Sequence, residues 1–214
     1  MAKSQKKTAK SNSKKVSADN GNNEAALFDA ANQLRGSVES AEYKHLVLGL
    51  VFLKYISDSF EQRRSELDKL SRKPDSDYFT DDDDERAELI EDRDEYTAEN
   101  VFWVPEEARW DALLAKASQP DIGVQLDKAL DSIERENESL RGVLPKVYAK
   151  APLAPEKLGD LVSTIGKLGF GASAEESRDV LGRTYEYFIK EFARSEGHRG
   201  GEFYTPSSVV QLLV

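Results

Sequence analysis

The sequence predicts a mainly α-helical protein, a bundle of about six or seven helices. Apolar residues recur at three- and four-residue spacing in one segment after another, which gathers them on one helix face. Alternating runs of strand length are nearly absent. Of the 214 residues, 39% are apolar, enough for a core, and 33% are charged, as solvated helix faces require.

Residues 1–23 hold six lysines and one acid, Asp19, with almost no apolar content. Such a segment cannot bury enough surface to offset its ordering entropy and is expected to be disordered. It reads either as a solubilising tail or as a basic arm for DNA phosphates. Since the whole chain carries −10, the remainder carries about −15. An acidic body repels a phosphate backbone, so nucleic-acid contact must be local or supplied by a partner.

"NEAALFDAANQLRG" predicts a short helix, with Asn23 near its start and Gly36 as its stop. "SAEYKHLVLGLVFLKYISDSFEQRRSELDKL" predicts a long one. Leu46, Leu50, Leu53, Ile56 and Phe60 share a face, which Val47, Phe52 and Tyr55 widen. So broad a stripe belongs to a central helix covered on several sides. Gly49 costs about 1 kcal/mol relative to alanine in a helix, which points to a close helix neighbour.

The acidic run Asp81–Asp84 with Glu85 lacks the spaced ligands and turn glycine of a calcium loop. It reads instead as a helix first turn capped by Thr80, where acids favour the positive dipole end. Val101–Val104 is a short extended stretch, and Pro105 suits the first position of a helix. Trp103 and Trp110 read as core anchors. Ile122, Leu126, Leu130 and Ile133 form the next helical face, and "LRGVLPKVY" a turn with extended character. Leu158, Leu161, Val162, Ile165 and Leu168 form another face. Leu181, Thr184, Tyr185, Phe188 and Phe192 form the last, ending at Gly197.

Several chemistries are excluded or unsupported. There is no cysteine, hence no disulfide or thiolate metal site. His45 and His198 are too far apart in sequence to suggest zinc, and neither lies near a nucleophile elbow. "LGFGAS" (Leu168–Ser173) has a Gly-x-Gly, but a helical pattern precedes it where a cofactor site needs a strand. It reads as an inter-helix turn. The longest apolar run, Leu46–Leu53, is too short to span a bilayer. No secretory signal is evident, so a cytoplasmic location is expected.

The closing "GGEFYTPSSVVQLLV" carries more. Gly200 and Gly201 permit close backbone approach. Thr205 and Pro206 make a helix start whose free N–H groups attract a carboxylate. Phe203 and Tyr204 put aromatic surface beside it. This is either a capped helix after a Gly loop or one wall of a site for a ligand carrying a carboxylate and a cation.

"DVLGRTYEYFIKEFARSEGHRGGEFYTPSSVVQLLV" closely resembles the modification (M) subunit of type I restriction–modification systems, the DNA adenine-N6 methyltransferases. "AEYKHLVLGLVFLKYISDSFE", "FWVPEEARW" and "LRGVLPKVY" resemble the helical N-terminal domain of the same subunits. The resemblance spans roughly residues 24–214. It implies a helical domain over 24–170 and the start of an α/β methyltransferase domain over 171–214, truncated at its first helix. It also implies that Glu202, Phe203, Tyr204, Thr205, Pro206 and Ser207 line the pocket for S-adenosyl-L-methionine. The implied partners are a specificity (S) subunit, a second M subunit, a restriction subunit and double-stranded DNA, around which the helical domain helps to close. The family's later Gly-rich cofactor loop and Asn-Pro-Pro-Phe-type loop, which receives a flipped adenine, are missing: no two prolines are adjacent, and none follows Asn or Asp. This polypeptide alone is therefore expected to transfer no methyl group. A helical interaction module or remnant that binds no cofactor is the alternative, and a DNA-binding protein acting through its lysine arm is a third.

Overall fold

A computed structural model describes the backbone of residues 40–170 and 174–195, and the side chains of 44–170 and 178–190. The lysine-rich segment, the short helix expected at 23–36 and the closing segment from residue 196 lie outside the described residues. Among those described, the protein is helical and has no strand. In chain order the α-helices are α1 (Ser40–Ser71), α2 (Asp83–Ile90), α3 (Asp94–Thr97), α4 (Trp110–Leu114), α5 (Ile122–Glu136), α6 (Pro155–Ile165) and α7 (Ala174–Ser195). Three 3-10 turns, Glu106–Ala108, Glu138–Leu140 and Tyr148–Lys150, lie in the connections.

The 32-residue α1 is the axis of the fold. At 1.5 Å per residue it runs about 48 Å. Leu46, Val47, Leu50, Val51, Leu53, Ile56, Phe60 and Leu67 are all buried along it. Their positions go well round the helix because α2, α4, α6 and α7 all pack on it. Phe52 and Tyr55, on the edge of the stripe, are only partly buried. The predicted faces of α5 and α6 are likewise buried residue for residue, as are Trp103 and Trp110. His45, at the head of the α1 stripe, is exposed.

Three local expectations are corrected. The close neighbour of Gly49 is not a helix but the irregular segment after α5. A Cβ at Gly49 would clash with Tyr148 Oη and stand 2.8 Å from Pro145 Cγ. Tyr148 donates its hydroxyl to Leu46 O at 2.9 Å, so this turn is fastened into the glycine notch of α1. Gly49→Val is expected to cost about 2–3 kcal/mol through overpacking, read as a lower urea midpoint at unchanged slope. Introducing it into a Tyr148→Phe background should cost less, since the clashing oxygen is gone.

The cap of α2 is Asp82 rather than Thr80. Asp82 Oδ1 accepts from Asp84 N at 2.8 Å and Glu85 N at 3.3 Å. Thr80 acts one step earlier, accepting from Asp82 N at 3.1 Å and donating to Glu85 Oε2 at 2.8 Å. Both residues can cap, and the backbone of Asp82 is the extended one that a cap requires (φ −88°, ψ 126°). Asp83, Asp84 and Glu85 fill the first turn, as the dipole argument expects.

Pro105 does not begin an α-helix. It leads into the 3-10 turn Glu106–Ala108, and Arg109 is then extended (φ −64°, ψ 144°) before α4 starts at Trp110. Ser57 of α1 decides that start: its Oγ accepts the Trp110 N–H at 2.7 Å, satisfying a first-turn donor from across the core.

Candidate functional site

The residues expected to meet a cofactor, Glu202, Phe203, Tyr204, Thr205, Pro206 and Ser207, lie outside the described residues. What is described is the frame that leads to them, and its last element is α7. Val180, Leu181, Thr184 and Phe188 are buried on one face of that helix. Arg178, Asp179, Arg183, Glu186 and Lys190 are exposed on the other. The spacing of the buried set is that of one helical stripe, and its main packing partner is α1. The connection into α7 is anchored as well. Phe170 is buried, and its ring meets Tyr55 of α1 edge-on at 5.8 Å, while Tyr55 in turn stacks on Phe52 at 6.1 Å. The segment 168–173 is expected only as an inter-helix turn, and Phe170 makes it an anchor as well. An aromatic between two glycines was the available signal.

The far half of α1 is held by an aromatic and cationic cluster. The Phe60 ring stacks on Tyr96 at 4.7 Å and meets Trp103 edge-on at 5.3 Å. Arg109 lies 4.8 Å above Phe60 and Arg93 lies 5.3 Å from Trp103, placements in which a ring face attracts a cation. Buried Arg63 donates to Glu95 O at 3.0 Å, and pairs with Glu66 at 3.0 Å and Glu95 at 3.3 Å. The Tyr96 hydroxyl donates to Ile90 O at 2.6 Å. Burial, followed by the nearby Glu91 carboxylate, pushes that hydroxyl up to about 12.

Polar side chains elsewhere, buried in the case of Asn137 and Glu134, hold irregular backbone. Asn137 clasps Trp103 by accepting from its N–H at 3.0 Å and donating to its carbonyl at 2.9 Å. Asp127 accepts the N–H groups of Tyr148 and Ala149 at 3.0 and 2.9 Å. Glu134 accepts from Leu144 N at 2.8 Å and from Lys146 Nζ at 2.7 Å. Helical periodicity could not single out these three, because each serves a segment remote from its own helix.

Burial would raise the Glu134 carboxyl. The hydrogen bonds from Lys146 and from the Leu144 and Gly142 backbone outweigh it and hold the group below its ordinary value of 4.5. The unfolded chain thus binds the proton more readily than the folded one. The stability this group adds is complete above pH 4.5 and lost as pH falls through the lowered folded value. Glu134→Gln should therefore flatten the acid limb of stability against pH, measured by urea midpoints from pH 3 to 7. A limb as steep as in the parent protein would refute this assignment.

Asp58 behaves oppositely. Burial raises its carboxyl, Lys54 one turn away partly offsets that, and Asp111 adds to it. The Lys54 ammonium lies 5.9 Å from the Trp110 ring centroid, so the pair knits α1 to α4. Among the described residues no group of three or more His, Asp or Glu could hold a metal ion, and no helix is long and apolar enough to cross a membrane. The described carboxylates with buried partners hold backbone and cations in place.

Comparisons with known proteins give two family matches along the chain. Residues 23–165 match the HsdM N-terminal domain family, and residues 176–214 match the N-6 DNA Methylase family. The chain is 37% identical over 192 residues to the type I restriction enzyme MjaIX methylase subunit of Methanocaldococcus jannaschii. That match takes in 89% of this chain and 34% of the relative. The HindI methylase subunit of Haemophilus influenzae is 33% identical over 131 residues, covering 52% of this chain and 29% of that protein. The chain thus spans about a third of the length of these relatives. Its fold matches the crystal structure of a type I restriction–modification system methyltransferase subunit from Streptococcus thermophilus with a TM-score of 0.56. At 24% identity, that match covers 87% of this chain and 41% of the other.

Proposed function

The chain belongs to the HsdM N-terminal domain family, and from that membership we propose that it is the assembly domain and first cofactor motif of an adenine-N6 DNA methyltransferase. The observation that carries this reading is the order of the two matches. An HsdM N-terminal domain over 23–165 is followed at once by the opening of an N-6 DNA methylase at 176.

In this reading residues 1–23 are a basic tail, 24–170 the helical domain and 171–214 the start of the methyltransferase domain. The helical domain docks a specificity subunit and a second M subunit and helps to close the complex on double-stranded DNA. A restriction subunit joins that assembly, which works in the cytoplasm. Glu202, Phe203, Tyr204, Thr205, Pro206 and Ser207 form one wall of an S-adenosyl-L-methionine pocket. A helix start would receive the methionine carboxylate, and Phe203 and Tyr204 would face the sulfonium. The polypeptide of residues 1–214 performs no methyl transfer without the Gly-rich loop and the adenine-holding loop.

The acidic body favours protein docking over direct base readout. Co-expression with a specificity subunit tests this. The chain should be retained with the tagged partner and bind DNA only in its presence. A chain that ignores the specificity subunit, yet binds DNA with a steep loss of affinity from low to moderate salt, would overturn the docking role in favour of the lysine arm. In a complete M subunit carrying these residues, Thr205→Val should weaken cofactor binding. Unchanged affinity by calorimetry would remove Thr205 from the pocket.

A further inference from the structure

We infer that the flank of α7 carrying Gly182, Tyr185 and Ile189 is a docking face, with a notch at Gly182 that receives the methyltransferase domain of a complete M subunit. The inference rests on the reading of residues 171–214 as the start of that domain, and assigns the surface by which α7 joins it.

A glycine inside a helix lowers its stability relative to alanine, so its presence needs a reason. α1, α5 and α6 each contain one, and in each the reason is a close neighbour. A Cβ at Gly49 would clash with Tyr148 Oη, one at Gly123 would lie 2.6 Å from Tyr148 O, and one at Gly159 would clash with Ala117 O. Gly182 in α7 is the exception among the described helices. Beyond its own stretch of helix, no described residue comes within 4 Å of a Cβ placed there. Three of these helix notches are filled, and the one in α7 stands open.

Gly182, Tyr185 and Ile189 are three and four residues apart, which sets them on one side of α7. That side lies roughly a quarter turn from the stripe Val180, Leu181, Thr184 and Phe188. The stripe is buried, and α1 is the main packing partner of the helix. Tyr185 and Ile189 are half-buried, with exposed Arg178 at the rim of their flank. Asp179, Arg183, Glu186 and Lys190 are exposed further round. One side of α7 is thus occupied, one is solvated, and the flank between them is apolar and notched.

The sequence indicates the occupant. The N-6 DNA Methylase match begins at residue 176, so the whole flank lies within it. α1, which takes the buried stripe, lies within the HsdM N-terminal domain match. A helix that gives its main face to the neighbouring unit has its second apolar side left for its own. The matched stretch takes in only 34% of the MjaIX methylase subunit, so relatives of this kind carry much more chain to supply that contact.

The chain has no cysteine, so a single introduced thiol reports one position by its rate of reaction with iodoacetamide. Ile189→Cys is the probe and Lys190→Cys, on the solvated side, the control. Each is measured in the chain 1–214 and in a complete M subunit carrying these residues, on the peptide that contains the substitution. Ile189→Cys should react about tenfold more slowly in the complete subunit, as loss of exposure requires, and Lys190→Cys equally in both. Adding Gly182→Leu fills the notch and should restore most of the Ile189→Cys rate in the complete subunit. In the chain 1–214 the same Gly182→Leu should raise the urea midpoint, since leucine favours a helix and has room.

Equal Ile189→Cys rates in the two proteins, equal slowing of Lys190→Cys, or protection that survives Gly182→Leu would each overturn the inference. So would slowing that appears only with rising concentration or only on adding a specificity subunit, which would give the face to another partner. Adenine methylation by the complete subunit with its specificity subunit, measured alongside, separates the two readings. Methylation with an unprotected flank removes this inference alone. A complete assembly that does not methylate adenine removes the domain assignment and this inference with it.

Discussion

Phe60→Ala is expected to lower the unfolding free energy of the helical domain by about 4 kcal/mol, within the range for a buried Phe→Ala change. The Phe60 side chain is fully buried. Its loss opens a cavity at the point where α1, α3 and the 101–104 segment meet. It also removes two ring pairs, the stack on Tyr96 at 4.7 Å and the edge contact with Trp103 at 5.3 Å. Such pairs contribute about 0.5–1.5 kcal/mol beyond the area they bury. Tyr96 and Trp103 also meet edge-on at 5.1 Å, so the remaining two rings can relax towards each other only by breaking that geometry.

Urea unfolding should show a much lower midpoint with little change of slope. Phe60→Leu should recover more than half of the loss. The Tyr96 hydroxyl gives an independent readout. Burial is the main reason it titrates at about 12, so water entering the cavity should bring it down towards its ordinary value of 10. In the parent protein the raised folded value means that stability from this group is complete below pH 10 and lost as pH rises towards 12. A Phe60→Ala protein as stable as the parent would show that the cluster is peripheral to the fold.

Asn137→Ala is expected to cost about 3 kcal/mol, although it removes only a small polar side chain. Trp103 lies in neither helix nor strand, so its backbone has no ladder to join. Asn137 serves as that ladder, taking the Trp103 N–H at Oδ1 and giving an Nδ2 hydrogen to the Trp103 carbonyl. A further Nδ2 bond returns to Ile133 O at 2.7 Å, a carbonyl that also accepts the Asn137 backbone N–H at 3.0 Å. Alanine leaves buried backbone groups without partners, at about 1–3 kcal/mol for each.

Asn137→Asp separates the two halves of the clasp. The carboxylate can still accept the Trp103 N–H but sets negative charge against two carbonyls. Its folded value should be raised, so the variant gains relative stability in acid and loses it as pH rises through that value. Equal stability of Asn137→Asp and the parent at neutral pH would show that the amide hydrogens do not hold the Trp103 carbonyl.

Helical faces were legible in the sequence because a helix reports itself locally. The stripe Leu46, Leu50, Leu53, Ile56 and Phe60 needs no knowledge of its neighbours, and neither do the faces of α5 and α6. The cap of α2 was legible only to within two residues. Thr80 and Asp82 are both capable, and the choice between them rests on the path of the chain after Ser71, whose carbonyl accepts from Thr80 N at 3.0 Å. The helix start at Trp110 was missed because its first-turn N–H is satisfied by Ser57, 53 residues earlier. The motif Glu202–Ser207 is an expectation from resemblance and from the chemistry of a helix start, both of which are properties of a short string, and it lies outside the described residues.

Composition and periodicity thus dictated that the body is helical, acidic and built around one long apolar helix, since those properties follow from the spacing of residues along the chain. Which turn fills the notch at Gly49, which side chain clasps Trp103, and that α7 leans on α1 were settled in three dimensions. Each depends on groups brought together from distant parts of the sequence, where the choice is made by fit and by the need of every buried donor and acceptor for a partner.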